Sequence, residues 1–260
     1  MSSAKATNKP LSLTLIAAAS MTNGLGVNGG LPWKLKGEMT YFRNATTFVP
    51  REEGRVVGAK NVVIMGRKTW ESIPPKFKPL KDRLNVIISR CGNPDQLGIE
   101  SDGACLFASL EEAISSLQAK QSQRPCLLAR TFVIGGAQLY AQAMRLVPES
   151  GAQVDHLLIT RIMHPSYEEC DAFLPEFRSL AQICSDRNKA VAAPREKTTN
   201  AKDSADEWIR LDHKSLRAWL GANEESEIST SIPEGTIQEG EVLYEFQMWE
   251  RSKIALPELA

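Results

Sequence analysis

The chain has 260 residues, 42% of them hydrophobic, and its 31 basic and 31 acidic side chains give a formal net charge of zero. That length and apolar content suit a globular protein with a sizeable core, either one domain carrying insertions or two small domains. The balanced charge argues against nucleic acid as the main partner, although local basic clusters can still hold a small polyanion. Five cysteines, an odd number without a CxxC pair, read as reduced thiols of an intracellular protein. The three histidines are too scattered in sequence for a zinc site, so no metal is expected. The polar first ten residues do not resemble a secretory signal, and no apolar run approaches the roughly 20 residues of a membrane span.

Residues 11–19 are apolar with little alternation, as in a buried strand. The following stretch 23–30 holds four glycines and closes on Leu31-Pro32-Trp33. It predicts an unusually turned or mobile loop, and the Leu-Pro-Trp ending does not fit a dinucleotide-binding fingerprint. Over 35–48, Leu35, Met39, Phe42 and Ala45 or Thr46 recur at helical spacing, with Glu38 one turn before Phe42 on the flank of that stripe. An acid in this position is ordinarily a solvated helix charge.

Three strand-like runs then end in polar residues: 61–65 before Gly66-Arg67-Lys68-Thr69, 84–88 before Ser89-Arg90, and 131–134 before Gly135-Gly136. Helices are expected over 110–117 and 137–144, and near-continuous apolar strands point to a largely parallel sheet covered on both faces. Another strand spans 155–161, followed by an irregular link at 171–175. Residues 188–205 read as a flexible insertion, 213–220 as a short helix, 221–240 as a polar stretch, and 242–249 as a final strand.

Glycine at a strand-to-helix turn lets backbone N–H groups approach a phosphate, and the helix adds the positive end of its dipole. Gly135-Gly136 before Ala137 has this form, as does Gly66 before Arg67, Lys68 and Thr69, while Ser89 and Arg90 can add contacts to a further phosphate. Each feature alone is more often structural. No Ser-His-Asp, Cys-His or multi-carboxylate arrangement stands out. Hydride transfer from a bound cofactor needs no protein nucleophile.

Leu31-Pro32-Trp33, 38–42 (Glu-Met-Thr-Tyr-Phe), 63–70 (Val-Ile-Met-Gly-Arg-Lys-Thr-Trp), Ile88-Ser89-Arg90, Ile134-Gly135-Gly136 and Thr160-Arg161-Ile162 follow the order and approximate spacing of the dihydrofolate reductases. The resemblance covers 11–175 and returns through Tyr244-Glu245-Phe246; the elongated chain is similar to fungal members. It implies a single α/β domain over 9–252, with a central mostly parallel sheet, an antiparallel C-terminal edge, flanking helices and an insertion at about 187–240. It also implies hydride transfer from NADPH to C6 of 7,8-dihydrofolate, with protonation at N5, by a monomeric cytosolic enzyme that binds antifolates and needs no nucleic acid or membrane. On this resemblance Glu38 anchors the 2-amino and N3 side of the pterin, Thr160 accompanies it and Trp33 orders water nearby. Ile16, Leu31, Met39, Phe42, Ile73, Leu80, Ile134 and Tyr140 line the folate site, and Arg83 binds the glutamate-tail carboxylate.

The cofactor set carried over from the family is Ala18, Gly24, Gly26 and Gly30; Gly66, Arg67, Lys68, Thr69, Ser89 and Arg90; and Ile134, Gly135, Gly136, Ala137, Gln138 and Tyr140. Gly135-Gly136 is expected to be joined by a cis peptide. Gly30 stands where some relatives have an acid or amide, and Met39 where vertebrate relatives have an aromatic residue. Two other readings stay open: a pyrimidine reductase of riboflavin synthesis, which shares the broad fold and NADPH use but is disfavoured by the placement of Glu38 and Arg83, and a noncatalytic protein on the same scaffold.

Overall fold

The computed structural model describes residues 9–50, 58–90, 93–99, 103–123, 127–191, 207–222 and 232–252. Most of the expected insertion tract 188–205 lies outside them. The first half of the chain contains β1 (Leu11–Ser20), β2 (Gly24–Gly26), α1 (Lys36–Thr47), β3 (Lys60–Gly66), α2 (Arg67–Ser72), β4 (Arg83–Ile88), β5 (Ala104–Phe107) and α3 (Leu110–Gln123). It continues with β6 (Leu128–Val133), α4 (Ala137–Met144), β7 (Ala152–His164), β8 (Ala172–Phe173) and α5 (Leu180–Val191). The last elements are β9 (Trp208–Leu211), α6 (His213–Trp219), β10 (Ile237–Glu239) and β11 (Val242–Arg251).

Two compact units are formed, one from residues up to Ile16 with Met39–Asp155, the other from Ala17–Glu38 with His156 onward. In the first, β1, β6, β3, β4 and β5 lie side by side in that order, all pairing in parallel. Val62, Val63, Ile64 and Met65 of β3 are fully buried, the unbroken apolar run of a strand covered on both faces. On α3, Leu110, Ala113, Ile114 and Leu117 are buried at helical spacing. In the second unit β11 pairs antiparallel with β7, β9 and β10. The expected combination of a mostly parallel sheet and an antiparallel C-terminal edge is therefore present.

The structure differs from the sequence expectations at several short elements and at the longer α5 and β7. The glycine-rich stretch is not a free loop: β2 pairs with β8, inside the segment expected to be irregular. Strands of two or three residues are too short to show a period. Likewise β5, α5 and β9 were not anticipated, and β7 extends beyond 155–161 at both ends. The insertion also contributes core, since Trp208, Leu216 and Leu220 are buried.

Polar residues inside apolar strands organise the neighbouring turns. Asn85, fully buried on β4, accepts from Leu80 N (3.0 Å) and donates to the carbonyls of Leu80 (3.0 Å), Arg83 (3.1 Å) and Gly103 (3.0 Å). It thereby closes the turn that leads into Arg83. In the second unit Arg161 of β7 is fully buried and donates to Ser20 O (2.6 Å) and Asn23 Oδ1 (2.8 Å), tying β7 to the segment after β1. Burial, then the neighbouring Arg178 charge, brings its pKa down to about 9, so it stays protonated at neutral pH. Replacing Asn85 with Leu leaves several buried backbone groups unpaired and should lower the unfolding free energy by about 2–4 kcal/mol in urea titrations. A loss within the roughly 0.5 kcal/mol of an ordinary surface substitution would contradict this assignment.

Candidate functional site

Helix α1 begins after Trp33-Lys34-Leu35, which contains no Ser, Thr, Asp or Asn to receive its first N–H groups. The receiver comes from more than 200 residues away: Glu239, at the end of β10, accepts from Lys36 N (2.5 Å) and Gly37 N (3.0 Å). Glu38 follows directly, and it is only 7% exposed. A carboxylate loses its hydration when buried, which favours the protonated acid. Burial first, and then the Glu239 charge, push the Glu38 pKa up to about 7, while the Thr160 hydroxyl acts in the opposite direction. Tyr244 of β11 donates to Glu239 Oε2 (3.3 Å); burial, followed by Glu239 and Glu38, holds its phenol above the ordinary range.

Two more polar atoms belong to this unit. Thr160 Oγ1 and Trp33 Nε1 are buried, and neither has a hydrogen-bond partner of normal geometry among the described residues. Thr160 sits on β7 opposite Phe246, and Trp33 packs edge-on against Tyr167 with ring centroids 5.1 Å apart. Buried donors and acceptors of this kind are ordinarily completed by a ligand or an ordered water.

The other expected residues of the second unit occupy varied settings. Ala18 is half-buried on β1, Gly24 and Gly26 are buried in β2, and Gly30 and Leu31 are exposed. A Cβ on Gly24 would lie 2.6 Å from Cys170 Sγ, and one on Gly26 would lie 2.6 Å from Gly30 O. These two glycines thus have a packing reason independent of any phosphate.

In the first unit the strand ends converge on glycine. Gly66 N donates to Gly135 O (2.7 Å), and the Gly135-Gly136 peptide is cis, as the resemblance implied. Gly135 has φ +123°, and a Cβ there would meet Thr69 Oγ1 at 3.3 Å and Tyr140 Oη at 3.4 Å. The cradle is therefore one that a side chain would fill. Gly136 O accepts from Leu139 N and Tyr140 N in the first turn of α4, where Ala137 is half-buried and Gln138 exposed. Tyr140 Oη donates to Ile16 O (2.7 Å), and half-buried Ile134 bonds through its N–H to Ile64 O (2.9 Å).

The register Gly66↔Ile88 brings Arg67-Lys68-Thr69 and Ser89-Arg90 to adjacent strand ends. Arg67, Lys68 and Arg90 are exposed, Thr69 is half-buried and Ser89 is buried. Arg67 pairs with Glu71 (3.0 Å) on the helix surface, an interaction worth only about 0.3–0.5 kcal/mol that a phosphate can displace. Arg83 is buried and held in one plane by Nε to Lys81 O (2.9 Å) and Nη1 to Thr46 Oγ1 (2.7 Å). Burial lowers its pKa to about 10, with Asp82 offsetting part of the effect, so the fork remains charged at neutral pH. Of the remaining apolar candidates, Met39 is 53% exposed, Phe42, Ile73 and Leu80 are half-buried, and Ile16 is buried.

The structure thus gathers Gly66, Thr69, Gly135, Gly136, Tyr140 and Ile16 in the first unit, and Glu38 with Thr160 in the second. In the sequence Glu239 carries no site signal of its own, and Tyr244 enters only through the returning Tyr244-Glu245-Phe246 motif. The signal for Glu239 was negative: a helix without a local cap has to find an acceptor elsewhere. Among the described residues no His, Cys, Asp and Glu cluster forms a metal site, and no helix is long and apolar enough to cross a membrane.

A family model described as dihydrofolate reductase matches residues 12–202. A dihydrofolate reductase of Pneumocystis carinii is 38% identical over 249 residues, covering 94% of this chain and 98% of the relative. Its counterpart in Cryptococcus neoformans is 34% identical over 255 residues, covering 92% and 94%. Among solved structures, a Schistosoma mansoni dihydrofolate reductase superposes with a TM-score of 0.61 at 26% identity, covering 94% of this chain and all of the other.

The Glu38 titration carries a stability consequence. An unfolded carboxyl ionises near 4.5 and the folded one near 7. Below pH 4.5 both states hold the proton; between the two values the unfolded chain releases its proton first, so folding loses stability as pH rises. Burying the Glu38 charge therefore costs about 3 kcal/mol above pH 7. Replacing Glu38 with Gln should stabilise the protein relative to wild type at pH 8, with the difference shrinking toward pH 4.5 in urea unfolding. A difference independent of pH would contradict the assignment.

Proposed function

The chain belongs to the dihydrofolate reductase family, and from that premise we propose that it reduces 7,8-dihydrofolate to 5,6,7,8-tetrahydrofolate with NADPH, using Glu38 as the pterin anchor. The observation that carries the reading is the buried Glu38 carboxyl, on which the Thr160 hydroxyl of β7 acts, in the same unit as the unsatisfied Trp33 Nε1. A solvated helix charge has none of these properties.

When bound, NADPH supplies the hydride that reaches C6. The Gly66, Gly135 and Gly136 backbone leaves room for a pyrophosphate, and Thr69, Ser89, Arg67, Lys68 and Arg90 suit the added ribose phosphate. Ala18, Ala137, Gln138 and the glycines 24, 26 and 30 complete the cofactor assignment, with Ile134 and Tyr140 serving both ligands. Ionised Glu38 accepts two hydrogen bonds from the 2-amino and N3 groups of the pterin. Its charge makes the ring more basic, so that N5 takes a proton from solvent, while Thr160 and Trp33 order the polar side of the pterin. The hydride step needs a protonated N5, so its rate falls as pH rises above the pKa of N5 in the complex. Ile16, Leu31, Met39, Phe42, Ile73 and Leu80 exclude water from the rings. Arg83, with its plane already fixed, suits the planar tail carboxylate better than a lysine would.

The reading includes one catalytic domain over 9–252 with an insertion at about 187–240, and a monomer that works in the cytosol and binds antifolates. Its test is NADPH oxidation by the purified chain with dihydrofolate. Glu38→Gln should lower hydride transfer at neutral pH by at least about 100-fold, the scale of a lost acid-base contribution, while sparing NADPH affinity. Arg83→Leu should raise the dihydrofolate KM by about tenfold or more, with the NADPH KM unchanged. Equal losses toward both ligands, or equal efficiency with NADH, would overturn the corresponding assignment.

A further inference from the structure

The first turn of α1 is held by a residue from the other end of the chain. Glu239 receives two of its unsatisfied N–H groups, from Lys36 and Gly37, immediately before Glu38. The fit is close: a Cβ on Gly37 would lie 2.6 Å from Tyr244 Oη and 3.1 Å from Glu239 Oε2. Tyr244 in turn donates to the Glu239 carboxylate from the facing strand of the hairpin. Glu239 is half-buried, so its charge is only partly screened by water. An acid near a helix N-terminus is ordinarily favourable, and here the same acid adjoins a second carboxyl.

We propose that Glu239 is a positioning residue for the reductase site: from β10 it fixes the backbone that presents Glu38, and it sets a second negative charge against that carboxyl. The inference rests on Glu38 being the pterin anchor. Glu239 from β10 and the Thr160 hydroxyl from β7 act on Glu38, Glu38 in turn acts on Tyr244 of β11, and Lys34 and Lys36 adjoin it in the chain. Of these, Glu239 is the carboxylate, and its repulsion disfavours a second anion beside it. A capping Ser or Asn would satisfy the same N–H groups without that field. The site therefore combines two functions in one side chain, helix capping and the proton affinity of its neighbour.

The two functions separate in variants. Carbon-13 titration of the Glu38 carboxyl in the ligand-free full chain, identified by its disappearance in Glu38→Gln, reads proton affinity whatever the site reduces. Glu239→Gln should move the Glu38 midpoint to lower pH by about half a unit or more, the scale of one removed like charge at a partly solvated site. The acidic limb of the kcat/KM–pH profile for dihydrofolate reduction, which reports ionisation of Glu38 in the free enzyme, should move in the same direction. Glu239→Asp, which keeps the charge with a shorter reach, should leave the midpoint nearer the wild-type value than Glu239→Gln does. If both variants lower Tm alike and leave the Glu38 midpoint in place, Glu239 is a helix cap only and the proposal fails. Failure of wild-type protein to reduce dihydrofolate would instead overturn the reductase reading while leaving the titration result standing.

Discussion

The burial of one carboxyl beside another is the constraint around which this structure is arranged. Water stabilises an ionised carboxylate strongly, and Glu38 has given up most of that hydration. Its neighbour Glu239 makes ionisation harder still, so the acid keeps a proton to about pH 7. Evolution toward stability alone would place an amide or an apolar residue there. On the proposed reading a ligand offsets that cost, since a pterin with two parallel donors would restore to the carboxylate what burial removed.

Much of the fold was legible in sequence. The apolar runs at 61–65, 84–88 and 131–134 required buried strands, and Leu35, Met39 and Phe42 required a helix carrying Glu38 on its flank. The glycine pair at 135–136 marked a close backbone approach, and the cradle beneath it is one that a Cβ would fill. What pattern could not reveal was partnership across long separations. Nothing near Glu239 in sequence announces that it caps α1, and Tyr244 reads as an ordinary strand aromatic. Glu38 itself was chemically ambiguous until the family resemblance gave it a role.

The glycine-rich stretch after β1 shows the same limit from another side. Its composition suggested mobility, yet Gly24 and Gly26 are demanded by contacts with Cys170 and Gly30, and β2 pairs with β8. Arg161 and Arg178 reinforce the arrangement by converging on Asn23, which adopts a positive φ of 64°. In the insertion, polar composition concealed Trp208 and Leu216, which are buried beside or near β11. Polarity of a tract describes its average, whereas one or two apolar side chains suffice to dock it.

The central claim is that a protein acid near neutrality must ionise when the pterin binds. Calorimetry of folate binding without cofactor, at pH 7 in buffers of different ionisation enthalpy, measures that directly. The account predicts release of about half a proton per site from wild-type protein, following the midpoint near 7, and none from Glu38→Gln. Binding without proton release, or with the same release in the variant, would contradict it.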